Sequence, residues 1–320
     1  MSALTILLTI FLAILAYSMV NIGMALEKKG AAELPHIEEQ SFLQNIKNFL
    51  KNKFWLIGFM LTNIQWVFFL IALEYGSLSL VTPMMGVGLV VLVIFSYFYL
   101  KEPISKLEII GILCIIIGVV ILGATNPNEE PFYSLDEMIT KLSSLGSIIF
   151  FIVSTILASL LVIISIFRKF SFADIAFGFS GGIASGIGVI FSKVFMSGID
   201  FANFGGSFLA SVIRWEWWIF LLILAAFNAI SMVLPLVGFQ RGKAIIVTPI
   251  FAILGLITPV IGGIIIFSEW SALSAGYIIA KICALVILVV GVTILSYYSV
   301  KQPTLLEEKS SEELLKIQNG

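Results

Sequence analysis

Lys281 falls inside the apolar run Ala272–Tyr298, where a charged side chain needs a reason. It lies about nine residues into the run, hence roughly 13 Å below the nearer bilayer surface at 1.5 Å per residue. On insertion scales an ammonium near mid-membrane costs about 2.5 kcal/mol or more. It therefore requires a polar partner, a water-filled cavity or a shifted pKa. Amides occur at comparable depth elsewhere: Asn63 and Gln65 in the run Phe54–Leu73, and Asn228, with Ser231 beside it, in the run Trp217–Phe239. Uncharged amides can merely link helices, but together with Lys281 they make a candidate substrate pathway. Lys193 is closer to the end of its run, Asp174–Ser197. Its stem is expected to stretch outward and leave the ammonium at the surface. Acidic residues mark helix ends rather than helix centres. Glu102, Glu108 and Asp174 fall on one side, and Glu74, Glu216 and Glu269 on the other.

Two threonine–proline pairs, Thr82-Pro83 and Thr248-Pro249, each follow a valine near the start of an apolar run. Proline fits the first turn of a helix, where its missing N–H costs nothing, and threonine can cap it. One reading is plain helix initiation. The other is a helix start set below the membrane surface, with its positive end facing a cavity. Thr82 and Thr248 join the candidate pathway on that second reading. A third pair, Thr258-Pro259, falls near the centre of its run, where the proline removes a backbone hydrogen bond. Gly178, Gly182 and Gly186 recur every four residues and form one narrow stripe on a helix. Such stripes let helices pack backbone to backbone. A helix that slides, or a pore wall, is the alternative.

Enzyme chemistry finds little to work with. The one histidine, His36, lies in a polar loop, and Cys114 and Cys283 lie inside apolar runs as packing residues. There is no Ser-His pair in the apolar runs, no Walker or Rossmann loop and no metal-ligand spacing. No catalytic residue, metal ligand set or cofactor is assigned, and no nucleic-acid partner is expected.

The elements that must hold these residues are membrane helices. Hydrophobic residues make up 60% of the chain and charged residues only 12%. Soluble domains carry about 45–50% and 25%. Nine runs are long enough to cross a hydrocarbon core about 30 Å thick: Ala3–Leu26, Phe54–Leu73, Leu78–Leu100, Leu107–Ala124, Leu145–Phe167, Asp174–Ser197, Trp217–Phe239, Ala244–Phe267 and Ala272–Tyr298. The expected fold is all-α, a polytopic helical membrane protein with nine transmembrane helices. With the N-terminus outside, fourteen Lys and Arg residues fall in inside segments, against Lys141 and Arg214 outside. That bias puts the C-terminus in the cytosol.

Parts of the chain resemble each other. Ala72–Leu122 and Leu236–Leu295 each carry a VTP triplet entering an apolar helix, a glutamate where that helix ends (Glu102 and Glu269) and a GV-x-IL near the end of the next. The repeat unit is spans two to four and seven to nine. An offset of five spans inverts one copy relative to the other, as in many secondary transporters with a midplane site between their halves. The chain divides into a first repeat, residues 1–125, an acidic outside linker, 126–144, a second repeat, 145–298, and a polar cytosolic tail, 299–320. Phe42–Leu50 and the apolar stretch GGSFLASVI are expected at the membrane interface.

The repeat with its LKE and SEW helix ends resembles the drug/metabolite transporter superfamily, and within it the NIPA-like magnesium transporters. Lys28-Lys29-Gly30 matches that family's lysine-rich end of the first span. Leu80-Val81-Thr82-Pro83 matches its LVTP, followed here by Met84 and Met85 before Gly86. Leu100-Lys101-Glu102, Gly111, Cys114 and Gly118 match loosely, and Glu269-Trp270 follows Ser268 where the family has lysine. The resemblance covers Met1 to about Tyr298. It implies a secondary transporter working by alternating access, with Mg2+ as substrate, in the lipid bilayer of the cell (plasma) membrane; a homodimer is the expected assembly. One departure concerns the second span, where Gln65-Trp66 stands in place of the family's Gly-Glu. Mg2+ favours carboxylate and water oxygens. Export of small organic metabolites or drugs, coupled to protons, is therefore the alternative expectation.

Overall fold

The computed structural model describes residues 3–34, 41–100, 104–125, 133–199 and 201–318. Among them nine helices are long and apolar enough to cross a membrane: Leu4–Ala31, Lys53–Tyr75, Leu78–Tyr99, Lys106–Ala124, Leu145–Phe167, Ala173–Met196, Trp215–Arg241, Ala244–Ile266 and Ala275–Tyr298, the first to ninth spans below. Their ends agree with the hydropathy reading to within a few residues. Helix is the expected answer in a bilayer, because each backbone N–H and C=O must find its partner within its own segment.

Local chemistry sets several of the starts. Asn52 opens the second span by accepting the N–H of Trp55 at 3.0 Å. Ser105 and Glu108 form a reciprocal capping box at the fourth, with Glu108 almost fully buried. The third span changes character as it goes. An α-turn at Leu78–Val81 passes into a 3-10 turn at Thr82–Met84, where Pro83 has no N–H to give. It then runs as α-helix over Met85–Phe95 and as π-helix over Ser96–Leu100. The eighth span continues as one helix through Pro249 and Pro259.

The first span packs along the second and third, and the sixth along the seventh and eighth. The fourth packs along the ninth, and the eighth also meets the ninth. The sixth span is central, with 78% of its apolar window buried, whereas the fifth is peripheral at 11%. The centrality follows from the glycines. A Cβ at Gly178 would meet Val247, at Gly182 Phe251 and Leu254, and at Gly186 Thr258 and Pro259, all on the eighth span. Gly181 meets Pro235 and Gly188 meets Asn228, both on the seventh.

Three segments differ from the sequence expectation. The first helix runs to Ala32, so Glu27, Lys28 and Lys29 belong to it rather than to a loop. The linker holds a helix, Leu135–Leu142, opened by a Ser134–Glu137 capping box that turn-forming composition obscured. The backbone of the tail continues the last helix, Ala275–Gln318. The two interfacial stretches are short helices, Phe42–Lys51 and Phe204–Val212.

Candidate functional site

The most constrained polar cluster gathers at the end of the eighth span. That helix stops at Ile266, and Ser268 takes a left-handed backbone with φ 57°. A non-glycine residue there carries local strain. The turn lets the N–H groups of both Phe267 and Glu269 donate to the carbonyl of Gly263, each at 3.2 Å. It also folds the Glu269 side chain back over Gly263, where an added Cβ would overlap the carboxylate.

The Glu269 carboxylate then reaches the start of the third span. Oε1 accepts the N–H of Leu78 at 2.7 Å and Oε2 accepts that of Ser79 at 2.9 Å. Ser77 holds the capping position, yet its own side chain makes no cap bond. The first amides of a helix have no partner within it and carry its positive end. Here they are satisfied by a carboxylate from the other half of the chain.

Lys193, from the sixth span, completes the cluster. Its Nζ donates to the Gly76 carbonyl at 2.7 Å and lies 3.9 Å from Glu269 Oε1. The side chains of Lys193 and Glu269 are 8% and 3% exposed. The outward reach expected of Lys193 is thus corrected: its ammonium is held inside by the Gly76 carbonyl and the carboxylate. It also lies 5.5 Å from the centre of the Phe267 ring. Gly76 packs against Thr9 of the first span, and the Tyr133 hydroxyl of the linker donates to the Phe267 carbonyl at 3.2 Å. Five segments therefore meet at one ion pair.

The candidate pathway residues are distributed around this junction. Lys281 is fully buried, and its Nζ lies 5.7 Å from the centre of the Trp270 ring, one residue beyond Glu269. Thr82 is buried one turn inward from the junction, and its hydroxyl has no hydrogen-bond partner among the described residues. Gln65 is buried. Asn63 is exposed, and its amide donates to the Phe59 carbonyl at 2.7 Å. Asn228 is half-buried and donates to Leu224 O at 2.9 Å. Each of these two amides thus bonds one turn back along its own helix rather than across the bundle. Thr248 is half-buried in the second turn of the eighth span. Glu102 lies outside the described residues.

Sequence reasoning placed Glu269 at a helix end but missed that it caps another helix, and it turned Lys193 outward rather than toward that carboxylate. The available signal was two opposite charges near span ends on the same side of the membrane. Elsewhere, the Thr62 hydroxyl of the second span donates to Glu27 of the first at 2.7 Å. A cavity of about 420 Å3 lies between the fifth, sixth and seventh spans, lined by Thr155, Ser159, Ile187, Phe227 and neighbours. Ser180, at its wall, donates to Ala158 O. No candidate pathway residue lines this cavity. Among the described residues, no group of three or more His, Cys, Asp or Glu is arranged to hold a metal ion.

Among the described residues, nine apolar helices packed around a buried polar junction define a polytopic integral membrane protein. Residues 5–300 match the family model described as Magnesium transporter NIPA, and the chain belongs to that family. Among its relatives, the probable magnesium transporter NIPA9 of Arabidopsis thaliana is 26% identical over 78% of this chain and 70% of its own length. The magnesium transporter NIPA3 of Pongo abelii is 24% identical over 89% of this chain and 68% of its own. The magnesium transporter NIPA4 of Homo sapiens is 22% identical over 89% and 70%. No solved structure matches the chain.

Proposed function

We propose that this chain is a secondary transporter of Mg2+ that works by alternating access and performs no enzymatic reaction. The observation that carries the reading is the family match across residues 5–300, which takes in all but the first residue of the nine spans found among the described residues. An inverted repeat supplies the moving parts. Its support is the pairing of helices: the first span lies on the second and third as the sixth lies on the seventh and eighth, while the fourth and ninth lie on each other. Two such halves can rock about a site between them.

The missing carboxylate of the second span does not tell against Mg2+. Glu27 brings a carboxylate to that helix at Thr62, one turn before Trp66. Mg2+ keeps most of its water and asks for only one or two carboxylates. The cavity between the fifth, sixth and seventh spans is lined mostly by apolar side chains and holds none of the candidate residues, so the pathway is assigned instead to Gln65, Thr82, Thr248 and Lys281, with Asn63 and Asn228 at its margins. On the charge bias the N-terminus is outside and the C-terminus cytosolic; the plasma membrane is the proposed location.

The test is thermal stabilisation of the purified protein across a panel of divalent cations and small organic metabolites. Concentration-dependent stabilisation by Mg2+, with none by organic solutes, supports the reading. Stabilisation by an organic solute alone would shift it to metabolite export.

A further inference from the structure

We propose that Lys193 and Glu269 form a latch that closes their end of the bundle, the outer end on the orientation above, during each transport cycle. The inference rests on the transporter reading and adds the device that gates it.

The geometry is poorly explained as a static brace. A buried ion pair is no better for stability than well-packed apolar groups, because both charges lose their hydration. Yet the chain accepts a left-handed Ser268 and requires glycine at 263 to place this carboxylate. What the pair does supply is a junction with two discrete states. Closed, Glu269 of the eighth span satisfies the N–H groups of Leu78 and Ser79, while Lys193 of the sixth satisfies Gly76 O. Open, the same amides, carbonyl, ammonium and carboxylate would all be hydrated. The pair is therefore costly to separate while dry and inexpensive once water enters, which is the behaviour of a gate.

Thr82 supplies a second, independent observation. It lies one turn inward on the latched span, 1% exposed, with its hydroxyl unpartnered among the described residues. A buried hydroxyl without a partner is disfavoured in a permanently closed structure. It gains water as soon as the junction above it parts.

The experiment uses the full chain with Cys114 and Cys283 replaced by alanine and Thr82→Cys as reporter, a change that removes one methyl group and forfeits no hydrogen bond among the described residues. A membrane-impermeant thiol reagent is applied from each side in turn, without Mg2+. With the latch intact, labelling from the latch side is slow. Lys193→Met removes the ammonium, and Gly263→Ala displaces the carboxylate without altering any charge. Each should accelerate labelling from that side by about tenfold or more, the population shift expected from losing a charged hydrogen bond that favours the closed state. Lys193→Arg, which keeps the charge and the donor, should label slowly.

Unchanged rates in either well-folded variant overturn the proposal, as does equal acceleration from both sides. Failure of both variants to fold would make the pair a structural brace and overturn it too. The labelling needs no substrate, so a failed latch leaves the Mg2+ reading untouched, and absent Mg2+ flux leaves the labelling result standing.

Discussion

Gly186→Ala adds one methyl group at the closest approach of the sixth and eighth spans. The new Cβ would overlap Thr258 Cβ and lie 2.8 Å from Pro259 Cδ. Neither neighbour can swing away, since one is a β-branched stem and the other a ring atom fixed to the backbone. The helices must separate, and overpacking of this kind costs about 1–3 kcal/mol. Gly182→Ala should cost a similar amount, with its Cβ 2.6 Å from Leu254 Cβ and 2.7 Å from the Phe251 carbonyl oxygen. Gly178→Ala should cost less, because its nearest atom, Val247 O, is 3.0 Å away. Alanine also raises helix propensity by about 1 kcal/mol over glycine, so the reference is Gly205→Ala, a helical glycine with nothing within 4 Å of its added Cβ. Measured against that variant the propensity gain cancels. The assay is thermal unfolding of purified protein in one detergent. The predicted order of stability is Gly205→Ala, then Gly178→Ala, then Gly182→Ala and Gly186→Ala together. A Gly186→Ala protein as stable as Gly205→Ala would refute the close packing of these spans.

Lys281→Met should reduce Mg2+ uptake by roughly tenfold or more, as expected for an ionisable intramembrane residue with a functional role; wild-type uptake by a well-folded variant would remove Lys281 from the pathway. Cysteines introduced at Ser2 and Ser310 should label from opposite sides of the membrane, and same-side labelling would reject the proposed orientation. Glu137 is held below its ordinary value of 4.5 by the backbone N–H and hydroxyl of Ser134. Its contribution to stability is therefore complete above that value and lost as the pH falls through the lower, folded one. Glu137→Gln should be less stable than wild type at neutral pH and should converge with it in acid, as read by thermal unfolding; parallel pH profiles would refute the capping role.

The spans were legible because bilayer thickness converts directly into a run of apolar residues, broken by Ser, Gly or Lys at each end. The glycine stripe of the sixth span was legible for a similar reason: a spacing of four is a property of one helix, whatever packs against it. The junction at Glu269 was not. It joins Glu269 to Leu78 and Ser79, 191 and 190 positions away, and no local pattern announces such a pairing. Lys193 was misread because depth along a helix gives no direction around it. A lysine near a span end snorkels if it faces lipid, and is buried if, as here, it faces the bundle beside a carboxylate. Asn63 and Gln65 make the same point. Two residues apart on one helix, they turn to different sides, one exposed and one buried. The linker helix was hidden by a composition that favours turns, although Ser134 and Glu137 carried the capping-box signature.

The central claim is tested most directly by flux. The purified chain is reconstituted into liposomes containing a Mg2+-sensitive dye, and Mg2+ is added outside, alone or with an excess of organic solutes. The account predicts dye response above protein-free liposomes, saturable in Mg2+ and undiminished by the organic solutes. Liposomes that contain correctly folded protein and remain as tight to Mg2+ as empty ones, while accumulating an organic solute, would contradict it.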